Sequence, residues 1–208
     1  MNLQTPSADP PLLWLTILTR PRQTITHILA TDPQHHVRLL SVLGGAAIGV
    51  MKVGEVLEPL TLICGVLGWV MLPLFTLVFQ GVGVRLGGYG SRVGIRAAVA
   101  WSMVPVLYMA VAFWLWENQQ DLGDLFWTIV LTLLSIWAIR TPLNCLSEVM
   151  HLSLRRTLVA MAVSATLSYL VAIMLAEFLM DLTEAVLPFA HDRVGDFLSN
   201  YLLQFGAA

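Results

Sequence analysis

The residues best placed for chemistry are Arg140, Asn144 and Glu148, which follow one another at intervals of four residues and so share one face of a helix. They come directly after a long apolar run. A cation, an amide and a carboxylate on such a face can bind a lipid headgroup, an ion or a solute. This interpretation requires a long helix, in which Arg140 lies about 13 Å from the cytosolic end. The alternative is a shorter crossing that breaks at Pro142, with Arg140 facing headgroups.

A glycine-rich segment is the second candidate. Residues 81–87 look superficially like a dinucleotide fingerprint, but that motif needs a preceding strand in a soluble βαβ unit. We predict instead a tight cytosolic turn at residues 87–90, with Ser91 capping the next helix. The alternative is a backbone nest that holds a lipid phosphate beside the nearby arginines. This candidate lipid-headgroup loop comprises Arg85, Gly87, Gly88, Gly90, Ser91, Arg92 and Arg96.

Small residues recur where two helices could approach closely. They form a small-xxx-small pair in one apolar run and a second pair in the next. Such pairs let backbones touch, either inside a bundle or across a dimer face. Two prolines are expected to kink their helices. The predicted packing positions are Gly45, Gly49, Gly65, Gly68, Pro73 and Pro105.

No set of residues indicates an enzyme or a metal site. The sequence contains no His-Glu-x-x-His pair, no Gly-x-Ser-x-Gly elbow and no intramembrane pair of aspartates. His35 and His36 are adjacent, so their side chains diverge on a helix and provide no ligand set. His151 is expected at the membrane interface. We therefore expect neither catalysis nor a cofactor.

The composition is that of a membrane protein. Hydrophobic residues make up 57% of the 208 residues and charged residues only 12%, whereas about 25% are charged in a soluble domain. The net charge of -2 does not suit a nucleic-acid-binding protein. We expect the lipid bilayer to be the main partner of the chain.

Five apolar runs supply the expected transmembrane helices. A hydrocarbon core about 30 Å thick needs on the order of 20 helical residues per crossing. The first run is short, but Arg38 and Lys52 at its ends can snorkel, and residues 53–57 can extend it. The fold class is therefore all-α, a membrane helix bundle with five transmembrane helices. The runs are residues 39–51, 60–84, 97–116, 125–139 and 157–176.

The charges predict the orientation of these spans. Nine of the eleven basic residues fall on one side of them, and ten of the thirteen acidic residues fall on the other. By the positive-inside rule, the N-terminus is cytoplasmic and the C-terminus lies outside. The basic residues of the cytoplasmic side are Arg20, Arg22, Arg38, Arg85, Arg92, Arg96, Arg140, Arg155 and Arg156.

An amphipathic helix is predicted at each end of the chain. Residues 21–30 begin with Pro21, which suits the first helical position, and are expected to lie on the cytoplasmic leaflet. Residues 194–205 carry apolar side chains at helical spacing and are expected on the outer surface. The predicted organisation is a cytosolic segment at 1–36, a membrane domain at 37–180 and a C-terminal amphipathic helix at 181–208.

Three segments resemble the Yip family, five-pass membrane proteins named for their interaction with Ypt/Rab GTPases. The main one runs from Arg85-Leu-Gly-Gly-Tyr-Gly-Ser to Ala-Trp-Ser-Met-Val-Pro105. Arg20-Pro21-Arg22 is similar to the Arg-Pro-Arg segment before the first span of prokaryotic members, and residues 146–156 resemble the segment that joins the last two spans. The resemblance implies five spans and a cytosolic N-terminus, with a vesicle-trafficking role in eukaryotic members. The short N-terminal segment and the added C-terminal helix favour a prokaryotic member in the cytoplasmic membrane.

Two functions follow as expectations. The first is a non-enzymatic scaffold or membrane-organising protein that holds a membrane-protein partner or a second copy of itself. The second is a small-solute or ion transporter that uses the polar face at Arg140, Asn144 and Glu148. Five spans do not divide into two equal halves, as an inverted-repeat transporter requires. The scaffold is therefore the favoured expectation.

Overall fold

The structure, a computed structural model, describes residues 10–34, 36–53, 59–118 and 123–186. Every secondary-structure element in these ranges is an α-helix, so the all-helical prediction is confirmed there. The predicted C-terminal helix at 194–205 lies outside the described residues. The helices are α1 (Pro10–Thr19), α2 (Pro21–Thr31), α3 (Val37–Val53), α4 (Pro59–Arg85), α5 (Arg92–Trp101), α6 (Val104–Asn118), α7 (Asp124–Met150) and α8 (Leu154–Val186).

Four candidate membrane spans occur in the described ranges. They are α4, the pair α5 and α6 taken together, α7, and α8 from Leu154 to Met174. Each is long and apolar enough to cross a membrane, and the architecture is that of an integral membrane helix bundle. With its 17 residues, α3 covers about 26 Å at 1.5 Å per residue, slightly less than a hydrocarbon core of about 30 Å.

The second candidate span, Arg92–Asn118, is interrupted between α5 and α6. Residues 102 and 103 form a turn, in which the Ser102 hydroxyl donates to the carbonyl of Val99 at 2.6 Å. Pro105 follows in the first turn of α6, where its missing N–H leaves no helical hydrogen bond unmade. The interruption therefore lies just before the proline that predicted a kink.

In contrast, α7 is a single helix from Asp124 to Met150 and runs through Pro142 without a break. The sequence left open whether the helix that carries Arg140 breaks at Pro142 or continues past it, and the structure has the longer helix. Its first half exposes large apolar side chains such as Leu125, Leu133 and Ile139. Its last turns bury Cys145, among others, in the protein core.

The helices α3 and α4 lie against each other at their glycines. A Cβ added at Gly45 would overlap the carbonyl oxygen of Cys64, and one at Gly68 would come within 2.5 Å of the Ser41 carbonyl oxygen. At Gly49 the nearest atom would be the Thr61 Cα, at 2.7 Å. The predicted small-residue pairs therefore pack inside the chain, as one of the two alternatives had it.

The two N-terminal helices belong to the same hydrophobic core as the candidate spans. Trp14 of α1 packs against Trp101 with ring centroids 5.7 Å apart, and Ile25 of α2 is fully buried. The Cys145 thiol of α7 donates to the carbonyl of Pro21 at 3.8 Å. The observed α2 (Pro21–Thr31) covers the helix predicted at residues 21–30, but its apolar face lies against protein and not, as expected, on the cytoplasmic leaflet.

The chain divides into two compact units, Met1–Ser164 and Ala165–Ala208. The first unit contains α1 to α7 and the beginning of α8, where Thr157, Ala160 and Ser164 are fully buried. The described part of the second unit is the remainder of α8. All candidate sites considered below lie in the first unit.

Candidate functional site

The glycine-rich segment closes α4 with a tight turn. The N–H of Gly87 donates to Val84 O at 3.0 Å, and that of Gly88 donates to Gly83 O at 2.9 Å. Gly87 has φ +88°, a backbone conformation that glycine adopts without steric cost. Ser91 then caps α5, because its hydroxyl oxygen accepts the N–H of Gly94 at 3.0 Å. These are the turn and the cap that the sequence predicts.

The turn docks on the end of α7. The N–H of Tyr89 donates to Met150 O at 3.0 Å, and a Cβ at Gly88 would lie 2.8 Å from the Leu152 side chain. The Tyr89 ring stacks on that of His151, with centroids 4.6 Å apart. Three loop amides are thus used inside the protein. A phosphate at this loop would have to be held mainly by arginine side chains.

The end of α7 has the same geometry as the end of α4. Leu152 N–H donates to Ser147 O at 3.0 Å, five residues earlier, as Gly88 does at the end of α4. His151 has φ +52°, in the left-handed region that a non-glycine residue adopts at a cost. The negative ends of two helix dipoles therefore lie side by side.

Arginines surround these two helix ends. The Arg156 guanidinium donates at 3.2 Å to the carbonyl oxygen of Leu86, the residue that directly follows α4. Arg92 donates to the Gln80 side-chain oxygen at 2.9 Å. Arg85 and Arg155 form no hydrogen bond or ion pair within the described ranges. Together, the arginines at these two helix ends form an exposed cationic surface.

The predicted polar face of α7 points away from the protein interior. Arg140 is exposed and Asn144 and Glu148 are half-buried, whereas Thr141 and Cys145 on the adjoining face are buried. The Asn144 amide donates to the Arg140 carbonyl at 2.8 Å, so this side chain bonds to the backbone of its own helix. The three side chains share a face, as the spacing predicts, but in the described part of the chain that face is exposed at Arg140 and only half-buried at Asn144 and Glu148.

A groove of about 610 Å³ opens where α3 begins, between α4 and α5. It exists because α3 starts at the level of Leu72, while α4 continues past that level to Arg85. Among the described residues, no aspartate or glutamate lines it. The residues that matter below are Arg38, Leu39, Trp69, Val70 and Arg96.

Arg96 is the one residue of this groove that the sequence predicts as lipid-binding, as part of the neighbouring loop. Arg38 is predicted only as a span end and a cytoplasmic charge, and Pro73 only as a packing position. The one local signal was Trp69, an aromatic residue in the middle of an apolar run, since tryptophan is enriched at membrane interfaces.

In the described ranges, no group of three or more His, Cys, Asp and Glu side chains could hold a metal ion. His151 stacks on Tyr89, and Ser147 accepts a hydrogen bond from Arg22 at 3.4 Å while donating to Asn144 O at 3.0 Å. These side chains form no nucleophile and base pair.

Comparison with known proteins gives no relative from which a function could be carried over. No family model, no curated protein and no solved structure matches the chain.

Proposed function

We propose that this chain is a non-enzymatic scaffold of a prokaryotic cytoplasmic membrane, a five-span protein of the Yip type that organises membrane or holds a membrane-protein partner. In this proposal α3 is the additional, short span. Arg38 and Lys52, near its two ends, are basic, and their long side chains can reach water from a helix that is shorter than the hydrocarbon core. The N-terminus is cytosolic, and the C-terminal amphipathic segment lies on the outer surface of the membrane.

The observation that carries the proposal is the outward direction of the polar face on α7. A transport site requires polar side chains that line the bundle interior or a water-filled cavity. Here Arg140 is exposed, and the interior face of α7 at the same level is made of Thr141 and Cys145, both fully buried. The geometry thus favours a surface role over an internal pathway.

A second support is the rigid end of the bundle at the Gly87 turn. Hydrogen bonds join α4 to α7 through Tyr89 and Met150, and α8 to α4 through Arg156 and Leu86. A fixed, exposed surface with Tyr89 at its centre, 69% accessible, suits a protein that presents a docking face.

Site-specific photocrosslinking in cells tests the proposal. A crosslinking amino acid replaces Tyr89 on the loop or Ile139 on the outer face of α7, and Leu62 on α4, exposed to 61%, is the control position. We expect a reproducible protein adduct, with another protein or with a second copy, at Tyr89 or Ile139 but not at Leu62.

The contrary outcome is also measurable. If Tyr89 and Ile139 yield only lipid adducts, the scaffold proposal is wrong. Saturable solute flux into liposomes that Arg140→Ala or Glu148→Ala abolishes would establish the transporter instead.

A further inference from the structure

We propose that the groove at the beginning of α3 binds an anionic phospholipid of the surrounding bilayer, with the phosphate between Arg38 and Arg96 and an acyl chain along Leu39, Trp69 and Val70. The proposal requires only that the chain lies in a membrane. It does not depend on the scaffold function.

The charges of the groove favour an anion. Arg38 and Arg96 both line it, and neither guanidinium forms a hydrogen bond or ion pair within the described part of the chain. The nearest acidic residue in sequence is Asp32, which accepts the N–H of Gln34 at 3.0 Å and does not line the groove. Two guanidinium groups without acidic partners provide the forked donors that bind phosphate oxygens well.

The other wall of the groove suits a hydrocarbon chain. Leu39 is 49% exposed, Trp69 is 50% exposed and Val70 is 42% exposed. These side chains continue the exposed apolar surface of α4, which includes Val66 and Leu62. A free phosphate ion would leave this wall without a partner, whereas a lipid covers it and the arginines together.

The depth of the groove also fits a headgroup. About 20 residues separate Arg96 from Trp116 along α5 and α6, which at 1.5 Å per residue is about 30 Å, the thickness of the hydrocarbon core. With the far boundary at Trp116, just before Glu117, Arg96 lies at the near boundary. Trp69 lines the same groove, further into the apolar part of α4.

Native mass spectrometry of the full-length protein in a neutral detergent tests the site, with phosphatidylglycerol as the probe and phosphatidylcholine and inorganic phosphate as comparisons. The variant is Arg38→Gln with Arg96→Gln. The matched control is Arg20→Gln with Arg155→Gln, which removes the same charge from two exposed arginines outside the groove whose side chains have no partner in the described ranges. We expect phosphatidylglycerol to bind about tenfold more weakly to the groove variant and within about twofold of wild type to the control.

The proposal is wrong if both variants bind phosphatidylglycerol equally weakly, because that indicates general charge attraction. It is also wrong if the groove variant binds phosphatidylglycerol as tightly as wild type, or if wild type binds phosphatidylcholine as tightly as phosphatidylglycerol. Displacement of the lipid by inorganic phosphate would likewise show a phosphate site and not a lipid site.

A second measurement keeps the test independent of the arginine variants. Phosphatidylglycerol with brominated acyl chains should quench the fluorescence of the wild-type protein, and Trp69→Phe should remove most of that quenching. Trp114→Phe, which changes a tryptophan on α6 exposed to 40%, is the control and should leave the quenching in place. Quenching that survives Trp69→Phe would show that the chain does not occupy the groove.

Discussion

Two exposed arginines of this chain differ in what their side chains touch. Arg156 donates to the carbonyl of Leu86 at 3.2 Å and so ties the beginning of α8 to the end of α4. Arg140 forms no side-chain hydrogen bond or ion pair within the described ranges, although its backbone carbonyl accepts the amide of Asn144. The two residues carry the same charge, so a comparison of their variants separates the effect of charge from the effect of contact.

We predict that Arg140→Leu leaves the stability of the protein unchanged or raises it, whereas Arg156→Leu lowers it. Exposed substitutions without a broken contact usually change stability by less than about 0.5 kcal/mol. Loss of a hydrogen bond from a charged donor costs about 1 kcal/mol at an exposed site. Thermal unfolding in detergent, followed by tryptophan fluorescence, measures both. A larger loss for Arg140→Leu than for Arg156→Leu would show that Arg140 has a partner inside the assembled protein.

At the scale of elements, the α3 and α4 pair depends on the absence of side chains. We predict that Gly45→Ala destabilises the protein by about 1 to 3 kcal/mol, because the added methyl group would overlap the Cys64 carbonyl and force the helices apart. Gly81→Ala, in the partner helix α4, is the control, since nothing lies within 4 Å of its added Cβ. Gly81→Ala should be neutral or slightly stabilising. Equal melting temperatures for the two variants would contradict the close packing at Gly45.

The contact between the Gly87 turn and the end of α7 is a second element-scale feature. Gly88→Ala places a methyl group 2.8 Å from the Leu152 side chain and 3.0 Å from the Met150 carbonyl oxygen. We predict that the turn then opens more often, so that trypsin cleaves after Arg85 and Arg92 at least about fivefold faster in the purified protein. The Gly81→Ala variant should be cleaved at the wild-type rate. Unchanged cleavage in Gly88→Ala would show that the turn does not need its contact with α7.

Local features of these elements were predictable from the sequence, and long-range registers were not. Ser91 as a cap and Pro21 as a helix start follow from the chemistry of the residues beside them. The packing of Trp14 on Trp101 joins segments far apart in the chain, which no local pattern encodes. The groove depends on where α3 begins relative to α4. The sequence alone therefore predicts Arg38 as the end of a span and not as a groove residue.

At the scale of the whole molecule, the distribution of arginine predicts the orientation in the membrane. The described ends of α4, α5, α7 and α8 bring Arg85, Arg92 and Arg156 to one end of the first unit. The opposite ends of α6 and α7 carry Glu117 and Asp124. By the positive-inside rule, we predict that the arginine end lies in the cytoplasm.

We predict that a membrane-impermeant thiol reagent labels Asn118→Cys in intact cells and labels Tyr89→Cys only after the membrane is opened. Both positions are exposed in the protein. The unsubstituted chain is the control, because its Cys64 and Cys145 are buried and any labelling of them is the same in all three samples. Labelling of Tyr89→Cys alone in intact cells would reverse the orientation.

The docking of α2 on α7 also determines when the fold can be completed during synthesis. Arg22 bonds to Ser147, 125 residues further along the chain, and Pro21 accepts from Cys145, 124 residues away. Ribosomes add about 5 to 20 residues per second, so α2 exists for roughly 6 to 25 s before its binding surface has been made. During that interval its apolar face, with Ile25 and Ile28, needs temporary cover, and the surface of the bilayer is the nearest apolar phase. The helix that is synthesised early is therefore among the last to reach its final position.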